Sequence, residues 1–226
     1  MLEIKFHENK TAVFGSSFAR CFENFYTNTF VYPASTAKGL NNPNSQIKIN
    51  EKICFELKSL EKSSTLIFFF GTVDLNFVVN YKYNIIDQFD CKKYIKKIVN
   101  QYINFLKKNT ENFNVLICEV PISHVKDENL IKILKLHEKK RNNFDLQSKF
   151  MKVIPQEVRN KNILLLNNQL EKLCDNNGFK LLKINKYFRD SKGNYKIPLK
   201  YIRKDKLDHH LKDNIVELYL KSLKTL

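Results

Sequence analysis

Five short apolar runs, separated by longer stretches in which apolar residues return every three or four positions, limit what this chain can become. Residues 11–14, 30–32, 64–70, 114–120 and 179–184 are rich in Phe, Val and Ile at successive positions, so both faces of each run call for burial. Such runs suit strands of a parallel sheet covered on both sides. Between them, residues 90–108 place Ile95, Ile98, Val99, Tyr102, Ile103 and Leu106 at helical spacing, with Lys92, Lys93, Lys96, Lys97 and Lys107 mostly elsewhere. That spacing predicts an amphipathic helix with a solvated lysine face. Ile163, Leu166, Leu170 and Leu173 repeat the pattern, and Asn176, Asn177 and Gly178 then supply a left-handed stop. Ile215, Leu218, Tyr219 and Leu223 mark a last helix. Alternation of this kind argues for a three-layer α/β/α sandwich with a mostly parallel sheet of about five strands. Ligands of such open sheets bind beyond the carboxyl ends of the strands.

A length of 226 residues fits one domain spanning 1–226, and residues 121–160, charged and without glycine, read as an irregular, partly helical insertion. The hydrophobic fraction of 43% is enough to build a core, so wholesale disorder is excluded. No run reaches the roughly 18 to 20 apolar residues that span a bilayer, and Met1 to Lys10 is charged where a signal peptide is apolar. The expectation is a cytoplasmic protein without a membrane partner. Cysteines at 21, 54, 91, 118 and 174 form no CxxC pair and read as reduced thiols, Cys118 as a small buried hydrophobe.

The net charge of +16 would attract anions, yet lysine supplies nearly all of it. Arginine occurs only at 20, 141, 159, 189 and 203, whereas bidentate recognition of phosphate or guanine edges favours arginine. The lysines form no single tract, so nucleic acid is not the expected partner.

Candidate chemistry begins where the first run ends, at Val13, Phe14, Gly15, Ser16, Ser17 and Phe18. A serine just past a strand end has its hydroxyl at the mouth of the sheet and its N–H near the positive end of the following helix, which suits a nucleophile facing an oxyanion. Serine also caps helices readily, and this segment alone favours the cap. It is not a GxSxG elbow, because Ala19 occupies the second glycine position.

Near the other end, Asp205, Lys206, Leu207, Asp208, His209 and His210 place two of the five histidines beside carboxylates. A serine nucleophile needs a base, and the base an orienting carboxylate. In an extended loop Asp208 and His210 face one way; in a helix Asp205 and His209 would pair at i, i+4. A metal site or a solvated helix start are the alternatives, and His7, His124 and His137 offer no ligand spacing that supports a metal.

Together the two ends resemble the SGNH, or GDSL-like, hydrolase superfamily. Gly15, Ser16 and Ser17 match the Gly-Asp-Ser of its first block, which makes Ser17 the nucleophile; Gly39 matches the second-block glycine; Gly71, Thr72, Val73 and Asp74 match Gly-x-Asn-Asp; Asp208 and His210 match the last block. Three departures accompany the match. Ser16 replaces the first-block aspartate, Val73 replaces the oxyanion asparagine, and the Asp-to-His step is two residues instead of three. The resemblance implies a serine esterase or acyltransferase acting on small acyl esters, O-acetyl groups of carbohydrates included. Ser17, His210 and Asp208 would be catalytic, and Ser17, Gly39 and Asn76 would be the oxyanion donors, with no cofactor or metal. The expected partner is a small-molecule or glycan ester. A noncatalytic binding protein of the same fold and a basic binder of anionic glycan or nucleic acid are the rivals.

Among the remaining residues, Asp74 reads as a brace for the loop after the third strand. His124 reads as a solvated loop histidine, Asn41, Asn42 and Pro43 as turn residues, and Arg159 as surface.

Overall fold

The computed structural model describes residues 10–45, 47–140 and 152–225. The apolar runs form five strands: β1 (Thr11–Gly15), β2 (Asn28–Val31), β3 (Thr65–Phe69), β4 (Asn114–Cys118) and β5 (Lys180–Leu182). They pair in the order β2-β1-β3-β4-β5, every neighbour parallel. The two central strands, β1 and β3, are nearly all buried, whereas the edge strand β2 is half-buried along its length.

Helices cover both faces. α1 (Ile49–Ser59), α3 (Cys91–Asn109) and α5 (Gln156–Asp175) bury Ile53, Ile98, Tyr102, Leu106 and Leu166 against Phe14, Phe68 and Ile117 on one side. On the other, a 3-10 helix (Ser17–Phe22) and α6 (Val216–Leu223) pack Phe22, Val216 and Tyr219 on Val13, Ile67 and Phe69. The three layers follow from strands that are apolar on both faces, which a single helical layer would leave half wet. Asp90 caps α3 by accepting from the Lys93 N–H at 2.9 Å, and Gly178, at φ +71, turns the chain after α5.

The helices α1 and α2 (Val79–Ile85), the latter entered through a single π turn at Asp74–Val78, carry no strong apolar period and escape the sequence reading. Residues 121–160 are helical over much of their length. α4 (Asp127–Lys140) fills much of the stretch, residues 156–160 already belong to α5, and the part at 141–151 lies outside the described residues. α4 lies over Val73 and Phe77 through Leu130, Ile133 and Leu134, forming a third apolar cluster. Arg159, expected at the surface, is 2% exposed. In the first turn of α5 its guanidinium meets the Val125 carbonyl at 2.5 Å and Asp127 at 3.0 Å, where a solvent-facing residue would find water.

Strand order reverses between β1 and β3, which opens a crevice at their carboxyl ends. Ser17 follows β1 and Gly71 follows β3, so both border that crevice.

Candidate active site

The turn out of β1 is dictated by space. A Cβ on Gly15 would come within 2.5 Å of the Ala19 Cβ and 2.8 Å of the Phe69 carbonyl, so only glycine lets the chain double back against β3. Ser16 then turns inward. It is fully buried, its N–H donates to the Phe69 carbonyl at 3.1 Å, and its hydroxyl lies 3.2 Å from that of Thr72. Ser16 occupies the cap position of the 3-10 helix but makes no side-chain cap bond. Ser17, one residue on, is half-buried and opens the helix, so its N–H is among those the helix itself leaves unsatisfied.

The chain returns to this point 193 residues later: the Ser17 Oγ lies 2.9 Å from the His210 Nε2. His210 Nδ1 is 2.8 Å from Asp208 Oδ1, and the same oxygen accepts the His210 N–H at 2.9 Å. With Nδ1 protonated toward the carboxylate, the Nε2 lone pair faces the serine hydroxyl. An antiparallel bridge between Ile202 and Leu211 closes the base of this loop. Inside it Arg203 sits 3.6 Å from Asp208 and 2.9 Å from Asp213, and its Nε donates to the Leu211 carbonyl.

Electrostatics follow the packing. Burial holds the His210 imidazolium below its ordinary range; Asp208 opposes that shift, while Arg203 and Arg20 add to it. Burial raises the Asp208 carboxyl, but the two hydrogen bonds from His210 and the charge of Arg203 outweigh it, and Asp208 is held below the usual carboxylate range. At neutral pH the pair is therefore a neutral imidazole beside an ionised carboxylate, the state in which a serine proton can be taken up.

His209 does not face away as an extended loop would have it: its ring lies against that of His210, centroids 4.0 Å apart, and lines the cavity beside Ser17. Its ring packs against Phe77, Phe18 and His137 with centroids 4.8, 5.7 and 6.0 Å away, and burial pushes its pKa down to about 3. The i, i+4 alternative is not realised: the Asp205 carboxylate accepts the Leu207 N–H at 2.8 Å and shapes the turn. His124 is half-buried, not solvated, and burial holds its imidazolium below the ordinary range, with Asp208 opposing the shift. His137 on α4 lines the same cavity. No local motif links His124, His137 or Arg203 to the site, since each arrives from a different loop or helix.

The oxyanion side differs from expectation. The Gly39 N–H is taken by Thr36, at 3.1 Å to its carbonyl and 2.9 Å to its hydroxyl, because residues 38–41 coil into a 3-10 turn. Asn76 sits in the π turn, 7% exposed, and is not among the described residues lining the cavity at Ser17. Val73 packs under α4. Gly71 adopts φ +104, and a Cβ there would meet Val120 at 2.9 Å. Asp74 braces the loop after β2, not the one after β3: its carboxylate accepts the Ala37 and Lys38 N–H groups at 2.7 and 3.3 Å. Burial raises its pKa to about 6 against those bonds.

Among the described residues, Asp208, His209 and His210 are the one group whose potential metal-ligand atoms lie within 4.8 Å of one another. Asp208 and His210 are turned toward each other and Ser17, which leaves His209 alone as an uncommitted donor. That donor set fits a proton relay better than a metal ion. No helix among the described residues is long and apolar enough to cross a membrane.

No protein-family model matches the chain, and no curated protein matches it by sequence. Solved structures do match in fold. A GDSL-like lipase from Bacteroides thetaiotaomicron aligns with TM-score 0.52 and 13% identity, over 96% of this chain and 87% of that one. An alpha/beta hydrolase enzyme from the metagenome of Lake Arreo aligns with TM-score 0.52 and 9% identity, over 96% and 94%. A phospholipase A1 from Streptomyces albidoflavus aligns with TM-score 0.50 and 10% identity, over 95% and 98%. The chain thus has the fold of the GDSL-like hydrolases, at low sequence identity.

Proposed function

We propose that the chain works as one domain and is a serine esterase or acyltransferase acting on small acyl esters, O-acetylated carbohydrates among them. The observation that carries the reading is the continuous path Ser17 Oγ, His210 Nε2, His210 Nδ1, Asp208 Oδ1, with 2.9 and 2.8 Å between successive residues. Ser17 attacks the ester carbonyl carbon as His210 Nε2 takes its proton, and the carbonyl oxygen becomes an oxyanion. Collapse breaks the bond to the leaving alkoxide, which receives that proton from His210. Water or a sugar hydroxyl then attacks the acyl-serine with His210 again as base, releasing the acid or a new ester and restoring Ser17. Asp208 holds the imidazole in the tautomer this requires. The Ser17 N–H is the oxyanion donor the reading retains. No step calls for a cofactor.

A covalent fluorophosphonate probe tests this. Labelling that disappears in Ser17→Ala and persists in Ser16→Ala supports it. A folded protein that takes no label favours the second reading, a noncatalytic binder, for which the apolar burial of Val73 speaks.

A further inference from the structure

The 3-10 helix that begins at Ser17 also carries Arg20. Residues three apart on such a helix lie over one another, with a rise of about 2 Å per residue, so Arg20 stands on the face of Ser17, on the order of 6 Å along the axis. The residues between and beyond, Phe18, Ala19, Cys21 and Phe22, are buried. Ser17 and Arg20 line one cavity of ≈ 410 Å³, to which Ile133 and Leu136 of α4 also contribute.

The other arginines described are committed. Arg159 is buried on Val125 and Asp127, Arg189 lies over the Tyr195 ring, and Arg203 holds Asp208 and Asp213. The aspartates of the cavity are committed as well: Asp208 to His210, Asp213 to Arg203, and Asp205 to the Leu207 N–H. Arg20 is exposed and has no ion pair among the described residues. Its planar fork of donors matches a carboxylate.

The geometry points to Arg20 as a specificity-determining residue that binds a carboxylate on the ester substrate, within about one 3-10 turn of the scissile carbonyl. This rests on the esterase reading and adds the substrate class to it. Arg203 is already balanced by Asp208 and Asp213, so Arg20 offers the lining one uncompensated positive charge, which a single carboxylate matches. Arg20 is also close enough to disfavour the His210 imidazolium. A carboxylate docked on it relieves that effect and makes the base stronger when substrate is bound.

The test uses two ester pairs. 4-Acetoxybenzoate against its methyl ester places the charge on the alcohol side, and mono-4-nitrophenyl glutarate against 4-nitrophenyl butyrate places it on the acyl side. Corrected for their rates with hydroxide, the wild type is expected to prefer the charged member of one pair on the order of ten- to a hundredfold in kcat/KM. Arg20→Gln brings that ratio near one, and Arg20→Lys keeps part of it. A ratio that Arg20→Gln leaves unchanged in both pairs overturns the inference while leaving the esterase reading intact. If neither ester is turned over above the Ser17→Ala background, the esterase reading fails instead. Calorimetry with glutarate and 4-hydroxybenzoate then decides: binding lost in Arg20→Gln supports the carboxylate site, and equal or absent binding overturns it.

Discussion

The two halves of the site are built to different standards. On one side Ser17, His210 and Asp208 are joined by hydrogen bonds of ordinary length, and Arg203 fixes the carboxylate from behind. On the other, where an oxyanion would form, the Gly39 N–H is spent on Thr36 and Val73 is turned into an apolar cluster. Proton transfer demands side chains held in register, and the loop closed by Ile202 and Leu211 provides that. Oxyanion stabilisation demands donors left unpaired until the transition state, and in the loop after β2 the Gly39 N–H is already bonded to Thr36. The contrast teaches that one fold can hold the relay side chains in register while leaving the opposite loop without its expected donor.

The sharpest way to break the contrast is Ser17→Ala or His210→Ala, expected to lower kcat/KM for 4-nitrophenyl acetate at least about a thousandfold. Rates within tenfold of the wild type would show that the well-built half does no chemistry. Next, Asp208→Asn is expected to cost about a thousand- to ten-thousandfold by presenting the wrong tautomer, with Asp205→Asn changing the rate far less. The reverse order would move the relay to Asp205. In the pH profile, the acid limb of kcat/KM is expected below the ordinary histidine value of 6.5, because burial disfavours the His210 imidazolium.

Smaller effects probe the other half. Val73→Asn is expected to lose about 1 to 3 kcal/mol in denaturant titration by placing an amide among Phe77, Leu130 and Ile133, with no gain in rate. A faster enzyme would mean that this position does face the oxyanion. An effect of similar size, confined to acid, concerns His209. Its pKa lies near 6.5 unfolded and about 3 folded, so the unfolded state binds the extra proton. Stability falls as pH drops through that window, by at most about 1.4 kcal/mol per pH unit. Asp74, raised from 3.8 to about 6, acts oppositely and regains stability over part of the same range. His209→Phe removes only the first contribution, so the variant is expected to retain more of its neutral-pH stability at pH 4 to 5 than the wild type does. Equal acid sensitivity would place His209 in water.

Much of this was legible because burial writes itself into the chain. All five strands begin and end within two residues of their apolar runs, and α3 and α5 follow their apolar spacing. Ser17, Asp208 and His210 were legible as residue types beside predicted strand and helix ends. The misses share a cause. Gly39 was read as a free donor, yet its N–H answers to a hydroxyl three residues away. Arg159 was read as surface because charge usually seeks water, but the Val125 carbonyl needed a donor where α5 begins. His124 was read as solvated, but Asp208 and His210 of the returning C-terminal loop lie close to it and it is half-buried.

By itself the sequence determined the layers, since alternating apolar runs and helical periods leave one economical way to bury both faces of every strand. Only the tertiary structure decided which side chains meet. Ser17 and His210 are 193 residues apart, and whether a hydroxyl and an imidazole stand at 2.9 Å depends on how the sheet order and the 202–211 bridge steer the chain home. Hydrophobic periodicity is local and tolerant of small shifts, whereas a hydrogen bond is directional and fails within an ångström.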